Sequence, residues 1–143
     1  MPGESTPRLS FQIEVFGKPQ PQGSTRAFIP KGWKRPIITS DNPCLKSWRQ
    51  EVTTAALEAR PKGFPLPSGH PVYLAVVFYF APLKSKKDKS GWKSTRPDVD
   101  KLLRAVQDAL SGVAYDDDSQ VACAYVQKVF GSPERVRIEV KEI

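Results

Sequence analysis

The chain has 143 residues and a mass of 15.9 kDa, with 39% hydrophobic and 26% charged residues, room for one domain around a modest core and too little for two. Twenty-two Lys and Arg against 15 Asp and Glu leave a net charge of +7, which favours a polyanionic partner. No apolar run reaches the ~18 residues of a spanning helix. The first residues show neither the basic start nor the apolar segment of a signal peptide. Two cysteines, Cys44 and Cys123, are too few for a disulfide framework or a paired-cysteine zinc site. A chain working in a reducing cytosol, with no membrane partner, is expected.

Residues 9–16 alternate apolar and polar in part, as a half-buried strand does, and 17–23, rich in Pro, Gln and Gly, form a loop. Residues 26–39 place Phe28, Ile29, Trp33, Ile37 and Ile38 between basic side chains and read as a β-ribbon. Asp41 or Asn42 caps a helix over 45–59, where Leu45, Trp48, Val52, Ala55, Ala56 and Ala59 share one face; Pro61, Gly63 and Pro65 end it. Residues 72–80 are β-branched and aromatic, suiting a strand covered on both faces. Pro97 and Asp98 open a second helix over 99–110, striped by Leu102, Leu103, Val106 and Leu110 and closed by Gly112. Residues 121–130 and 135–140 flank Gly131-Ser132-Pro133-Glu134 and read as a hairpin. This order implies a single α+β domain over 1–143, a mixed β-sheet with two helices, with residues 1–8 flexible and 81–96 a basic mobile loop.

The charge is unevenly spread. Residues 81–96 hold Lys84, Lys86, Lys87, Lys89, Lys93 and Arg96 against Asp88 alone, a local +5. Residues 97–120 hold six of the eight aspartates against Lys101 and Arg104, a local −4. A basic chain that gathers its aspartates in one window has the makings of an acidic site within a basic surround.

Asp98 and Asp100, two apart, point the same way only if the helix begins between or after them. From Asp100 to Leu110 a helix advances ~15 Å, and residues 111–118 can span ~26 Å when extended. Asp118 can therefore return to Asp100. Two unit charges ~4 Å apart repel by ~4 kcal/mol at an effective dielectric near 20, so three carboxylates that met would require protons or a divalent cation. Oxygen ligands select Mg2+, Mn2+ or Ca2+. An EF-hand is excluded, because Leu102 and Leu103 stand where a ligand and the turn glycine belong. Magnesium beside a phosphate-seeking surface suits phosphodiester hydrolysis. The same residues also have plain structural readings: Asp98 as an N-cap, residues 116–118 as a solvated turn, and Asp108 as the ion-pair partner of Arg104.

The basic loop, with Trp92 inside it, reads as a DNA-facing segment or as a solvated one. Arg26, Lys31, Lys34 and Arg35 offer a second strip on which Trp33 or Phe28 stacks against bases, the alternative being core aromatics. Trp48 is assigned to the core and His70 to a surface loop.

The run Arg96-Pro-Asp-Val-Asp-Lys-Leu-Leu-Arg-Ala-Val-Gln-Asp-Ala-Leu-Ser-Gly-Val-Ala-Tyr-Asp-Asp-Asp-Ser-Gln-Val121 resembles the signature of the RusA-type Holliday-junction resolvases, small nucleases common in phages and prophages. That family carries Pro-Asp-x-Asp-Asn-Leu-x-Lys-x-x-x-Asp-Ala-Leu, a short Gly-containing link, then Asp-Asp-x-Gln-Val. Gly17-Lys-Pro-Gln-Pro-Gln-Gly-Ser-Thr-Arg26 is similar, less specifically, to its N-terminal Gly-x-Pro loop. The resemblance implies a RusA-like fold and a homodimeric, Mg2+-dependent endonuclease, with Mn2+ able to substitute, that cuts four-way DNA junctions by paired nicks at the nucleoid. By position, Asp98, Asp100 and Asp118 become catalytic metal ligands, with Asp117 beside them. DNA contacts fall to Arg26, Lys84, Lys86, Lys87, Lys89, Lys93 and Arg96.

Two residues depart from the pattern: Lys101 replaces the family's asparagine, and Arg104 its lysine. Arginine holds a phosphate but stays protonated, so a proton-shuttling role falls to Lys101 or is lost. The alternative is a catalytically impaired, non-enzymatic junction-binding protein of prophage origin.

Overall fold

The structure is a computed structural model that describes residues 8–23, 25–29, 31–40, 42–83 and 90–143. In chain order its elements are β1 (Ser10–Phe16), β2 (Thr25–Phe28), β3 (Ile37–Ser40), α1 (Leu45–Ala59), β4 (Val72–Phe80), α2 (Val99–Leu110), a 3-10 turn (Asp118–Gln120), β5 (Val121–Phe130) and β6 (Arg135–Glu142). Four strands form a mixed sheet in the order β1-β6-β4-β5, and β2 pairs with β3 as a separate antiparallel ribbon. The α+β class, the mixed sheet, the two helices and the ribbon agree with the sequence reading.

Alternation builds the core. Phe11, Ile13 and Val15 of β1, five alternate residues of β4 from Val72 to Phe80, and Val136, Ile138 and Val140 of β6 all bury on one face of the sheet. Both helices cover that face, α1 through Leu45, Trp48, Val52 and Ala56, and α2 through Leu102, Ala105, Val106, Ala109 and Leu110. Ala59, the last residue of α1, is exposed. Asn42 sits two residues ahead of the Cys44 N-cap, its Oδ1 accepting from the Cys44 N–H at 3.1 Å, while Asp41 lies outside the described residues.

Two expectations are corrected. Residues 121–130 and 135–140 do not form a hairpin: β4 lies between them, parallel to β5 and antiparallel to β6. The crossover through α2 lays β5 parallel beside β4, and β4, apolar on both faces, takes the centre. Nor is β4 covered on both faces. Tyr73, Ala75, Val77 and Tyr79 remain half-buried on the open face, where charged side chains lie over them. The Arg135 guanidinium stacks 3.8 Å from the Tyr79 ring centroid, and Glu14 pairs with Arg135 at 3.2 Å and Arg137 at 3.6 Å.

Of the expected basic loop, 84–89 lie outside the described residues. Residues 91–93 run along the outer edge of β5, with the Lys93 N–H donating to the Lys128 carbonyl (3.0 Å) and the Phe130 N–H to the Gly91 carbonyl (2.9 Å). An edge strand presents unpaired backbone groups, and this segment satisfies part of that edge. The expected flexible start, 1–8, is described only at Arg8, which is exposed. No described helix is long and apolar enough to cross a membrane.

Candidate active site

Helix α2 begins where the sequence places it. Asp98 is extended (φ −69°, ψ 139°), helical geometry starts at Val99, and Asp100 sits in the first turn. Asp98 occupies the N-cap, yet its side chain makes no capping hydrogen bond. Its carboxylate lies 4.0 Å from the Lys101 Nζ, and both Asp98 and Asp100 are exposed. Negative charge at this helix end is favoured by the helix dipole.

At the other end of α2 the chain reverses. Gly112, at φ +83°, adopts the left-handed conformation that a C-terminal glycine supplies without a Cβ penalty. Tyr115 is buried and its hydroxyl donates to the Gln107 carbonyl at 2.8 Å. Burial pushes the Tyr115 hydroxyl far above its ordinary pKa, with Asp118 and Asp108 adding to the effect.

Residues 116–120 form a capped turn rather than a loose solvated one. Asp116 Oδ2 accepts from the Ser68 N–H at 3.1 Å. Asp117 and Gln120 form a reciprocal capping box, in which Gln120 Oε1 accepts from the Asp117 N–H at 2.9 Å. Gln120, 8% exposed, is the buried polar residue of the described core. Its Nε2 points at the carbonyls of Leu66 (3.2 Å), Pro67 (2.9 Å) and His70 (3.0 Å), locking the turn to residues 66–70. Sequence reasoning missed Gln120, although the Asp117-x-x-Gln120 capping spacing was there to be read.

Asp118, exposed at the start of the turn, is under electrostatic tension. Its carboxyl is raised above the ordinary range, first by a hydrogen bond shared with Asp117, then by partial burial and the charges of Asp117 and Asp108; Arg104 opposes the shift. Asp117 is correspondingly lowered, chiefly by the Ser119 N–H and then by the Asp118 hydrogen bond. A carboxyl raised in the fold binds its proton more tightly there than in the unfolded chain, so its charge destabilises the fold at neutral pH. Asp118→Asn should therefore stabilise the metal-free protein at pH 7 by roughly 0.5 kcal/mol, a small figure because the group is exposed and screened. The gain should vanish as pH falls below the carboxylate range, and thermal melts from pH 3 to 8 measure both ends.

The residues expected at the site are placed unequally. Asp108 pairs with Arg49 of α1 at 3.5 Å instead of Arg104, correcting the local ion-pair reading. Asp100, Arg104 and Asp108 lie at successive four-residue steps along α2, and Asp118 faces the latter two. Among the described residues, no group of three or more His, Cys, Asp or Glu is gathered closely enough to hold a metal ion; of the expected ligands Asp98, Asp100, Asp117 and Asp118, the last two lie against each other. Their chemistry still fits a hard divalent cation. The donors are carboxylate oxygens alone, all exposed, and Asp117 and Asp118 already crowd each other into a shared hydrogen bond.

Among the expected DNA contacts, Lys84, Lys86, Lys87 and Lys89 lie outside the described residues, and Arg26 is described only by its backbone in β2. The Lys93 Nζ lies 5.2 Å from the Phe80 ring centroid and 3.0 Å from the Thr95 hydroxyl. Arg96 is exposed beside Asp98. Trp33 and Trp92 stand 60% and 52% exposed, whereas Trp48 is in the core and His70 on the surface, as expected. The side chain of Phe28 lies outside the described residues.

The loop 18–23 leans on the start of α2, with the Gln22 N–H donating to the Lys101 carbonyl at 2.9 Å. Loop and helix together match one family description, Endodeoxyribonuclease RusA, which covers residues 17–141. The chain belongs to the RusA endodeoxyribonuclease family. It is 31% identical over 140 residues to the Uncharacterized protein YqaN of Bacillus subtilis (strain 168), covering 93% of this chain and 96% of that one. It is also 38% identical over 74 residues to the Crossover junction endodeoxyribonuclease rusA of Lactococcus phage r1t, covering 51% of this chain and 56% of that one. In this chain the family match takes in the glutamine-rich loop, both acidic clusters and most of the sheet.

Proposed function

We propose that this RusA-family chain is a divalent-metal-dependent endodeoxyribonuclease that resolves four-way DNA junctions by paired nicks, acting as a homodimer. The observation that carries the reading is the set of exposed carboxylates around α2, with no capping duty on Asp98 and unrelieved crowding at Asp118, in a chain of this family. Asp98, Asp100 and Asp118 hold the cation, with Asp117 adjacent. Mg2+, or Mn2+ in its place, supplies Lewis-acid polarisation of the phosphoryl oxygen when bound. Lys101 and Arg104 steady the phosphate. Arg104 is permanently charged and therefore positions rather than transfers a proton. A four-way junction is two-fold symmetric, and two symmetric cuts need two sites related by a two-fold axis.

The test is a synthetic four-way junction incubated with the protein in Mg2+ and in EDTA. Paired nicks in Mg2+ alone are expected, and the absence of nicking overturns the reading. Duplex, fork and flap substrates in the same assay define structure selectivity, and sedimentation gives the oligomeric state. The second reading, junction binding without cleavage, is favoured by the departures Lys101 and Arg104. Binding that never leads to a nick establishes it.

Junction binding should weaken steeply with salt. Each phosphate neutralised releases counterions and lowers log K by ~0.9 per log unit of salt, so about six contacts give a slope near −5. Fluorescence anisotropy across a salt series measures it, and a slope near −1 excludes a basic surface as the main source of affinity.

A further inference from the structure

We propose that the groove between residues 18–23 and the start of α2 seats a single unstacked nucleotide of the DNA strand beside the cut, Lys18 and Arg96 holding its phosphate and Gln22 meeting its base edge. The inference rests on the nuclease reading for its substrate. The groove has a volume of about 710 Å3 and is lined by Lys18, Gln22, Asn42, Arg96, Asp98 and Lys101, among others. That volume lies within the ~300–1,000 Å3 of small-ligand clefts, a fit for a nucleotide rather than a duplex. Its place is decided by Asp98, which is both a wall of the groove and an expected metal ligand, so an occupant lies alongside the site.

The groove is built into the fold. The Gln22 N–H to Lys101 carbonyl bond fixes the loop to α2, and Asn42 Nδ2 donates to the Pro21 carbonyl at 2.7 Å. Pro19 and Pro21 further restrict the loop backbone. Lys101 lies against Asp98 at 4.0 Å, whereas Lys18 and Arg96 have no acidic partner among the described residues, leaving two cations for a phosphate. Gln22 supplies the independent observation. Its Oε1 is buried and has no hydrogen-bond partner among the described residues. An acceptor left unmade in this way is costly and uncommon; rotated into the groove that Gln22 lines, it would meet an N–H donor on an occupant. Base edges carry such amino and imino groups, and they become available when a nucleotide leaves the stack. Unstacking is least costly where pairing is already disturbed, as at a branch point.

The experiment places 2-aminopurine, whose fluorescence rises on unstacking, at each branch-point position of a four-way junction, and adds the full-length protein in EDTA. The wild type should brighten one position. Gln22→Leu should keep junction affinity and its salt slope but lose the brightening. Lys18→Ala, an exposed substitution, should weaken binding and reduce the salt slope by about 1. The inference is overturned if no position brightens with the wild type, or if the brightening and slope survive both substitutions. No metal and no cleavage enter this readout, so the failure of Mg2+-dependent nicking leaves it separately decided.

Discussion

Asp98→Asn or Asp118→Asn removes junction cleavage in Mg2+ while junction binding persists, a loss on the order of a thousandfold or more in rate. Asparagine keeps the shape of the side chain and deletes the charge, and a hard cation depends on anionic oxygen. Neither substitution threatens the fold. The Asp98 side chain caps nothing, and Asp118 sits under like-charge tension that asparagine relieves. Asp116→Asn is the internal control. Its amide oxygen can still accept the Ser68 N–H, so cleavage should stay near the wild-type rate. Single-turnover cleavage in Mg2+, with mobility shifts in EDTA, separates chemistry from binding. Full cleavage by either of the first two variants would remove that residue from the metal site.

Gln120→Leu lowers stability by about 3 kcal/mol, read as a fall in Tm of roughly 10 °C. Leucine fits the volume but leaves the His70 carbonyl and the Asp117 N–H without the partner the carboxamide provides. The Leu66 and Pro67 carbonyls keep other donors, the N–H groups of Asp116 and His70, which limits the loss. Because the turn it locks carries Asp118, cleavage should fall as well. A Tm within a degree or two of wild type would show that the clamp contributes little.

Helix α2 was legible to the residue, from Asp98 at its start to Gly112 beyond its end, because a proline-restricted entry and a left-handed glycine are local matters decided within a few residues. β1 and β4 were legible for the same reason, through alternation and β-branched composition. The β5–β6 hairpin was misread because a four-residue link between strands looks the same whether they pair or flank a third. Asp108 was misassigned to Arg104 because its partner, Arg49, is 59 residues away on α1.

The acidic window itself is a property of the sequence. Spacing alone placed Asp98 and Asp100 at a helix start and Asp118 within reach of it, and the charge count alone set an acidic window within a basic chain. Tertiary structure decided which aspartates are available. Ser68 engages Asp116, the capping box engages Asp117, and Asp118 is left crowded and exposed beside Arg104. The physical reason is that the availability of a carboxylate depends on N–H donors supplied from elsewhere in the chain. The segment at 66–70 comes to this turn only through the packing of the whole domain.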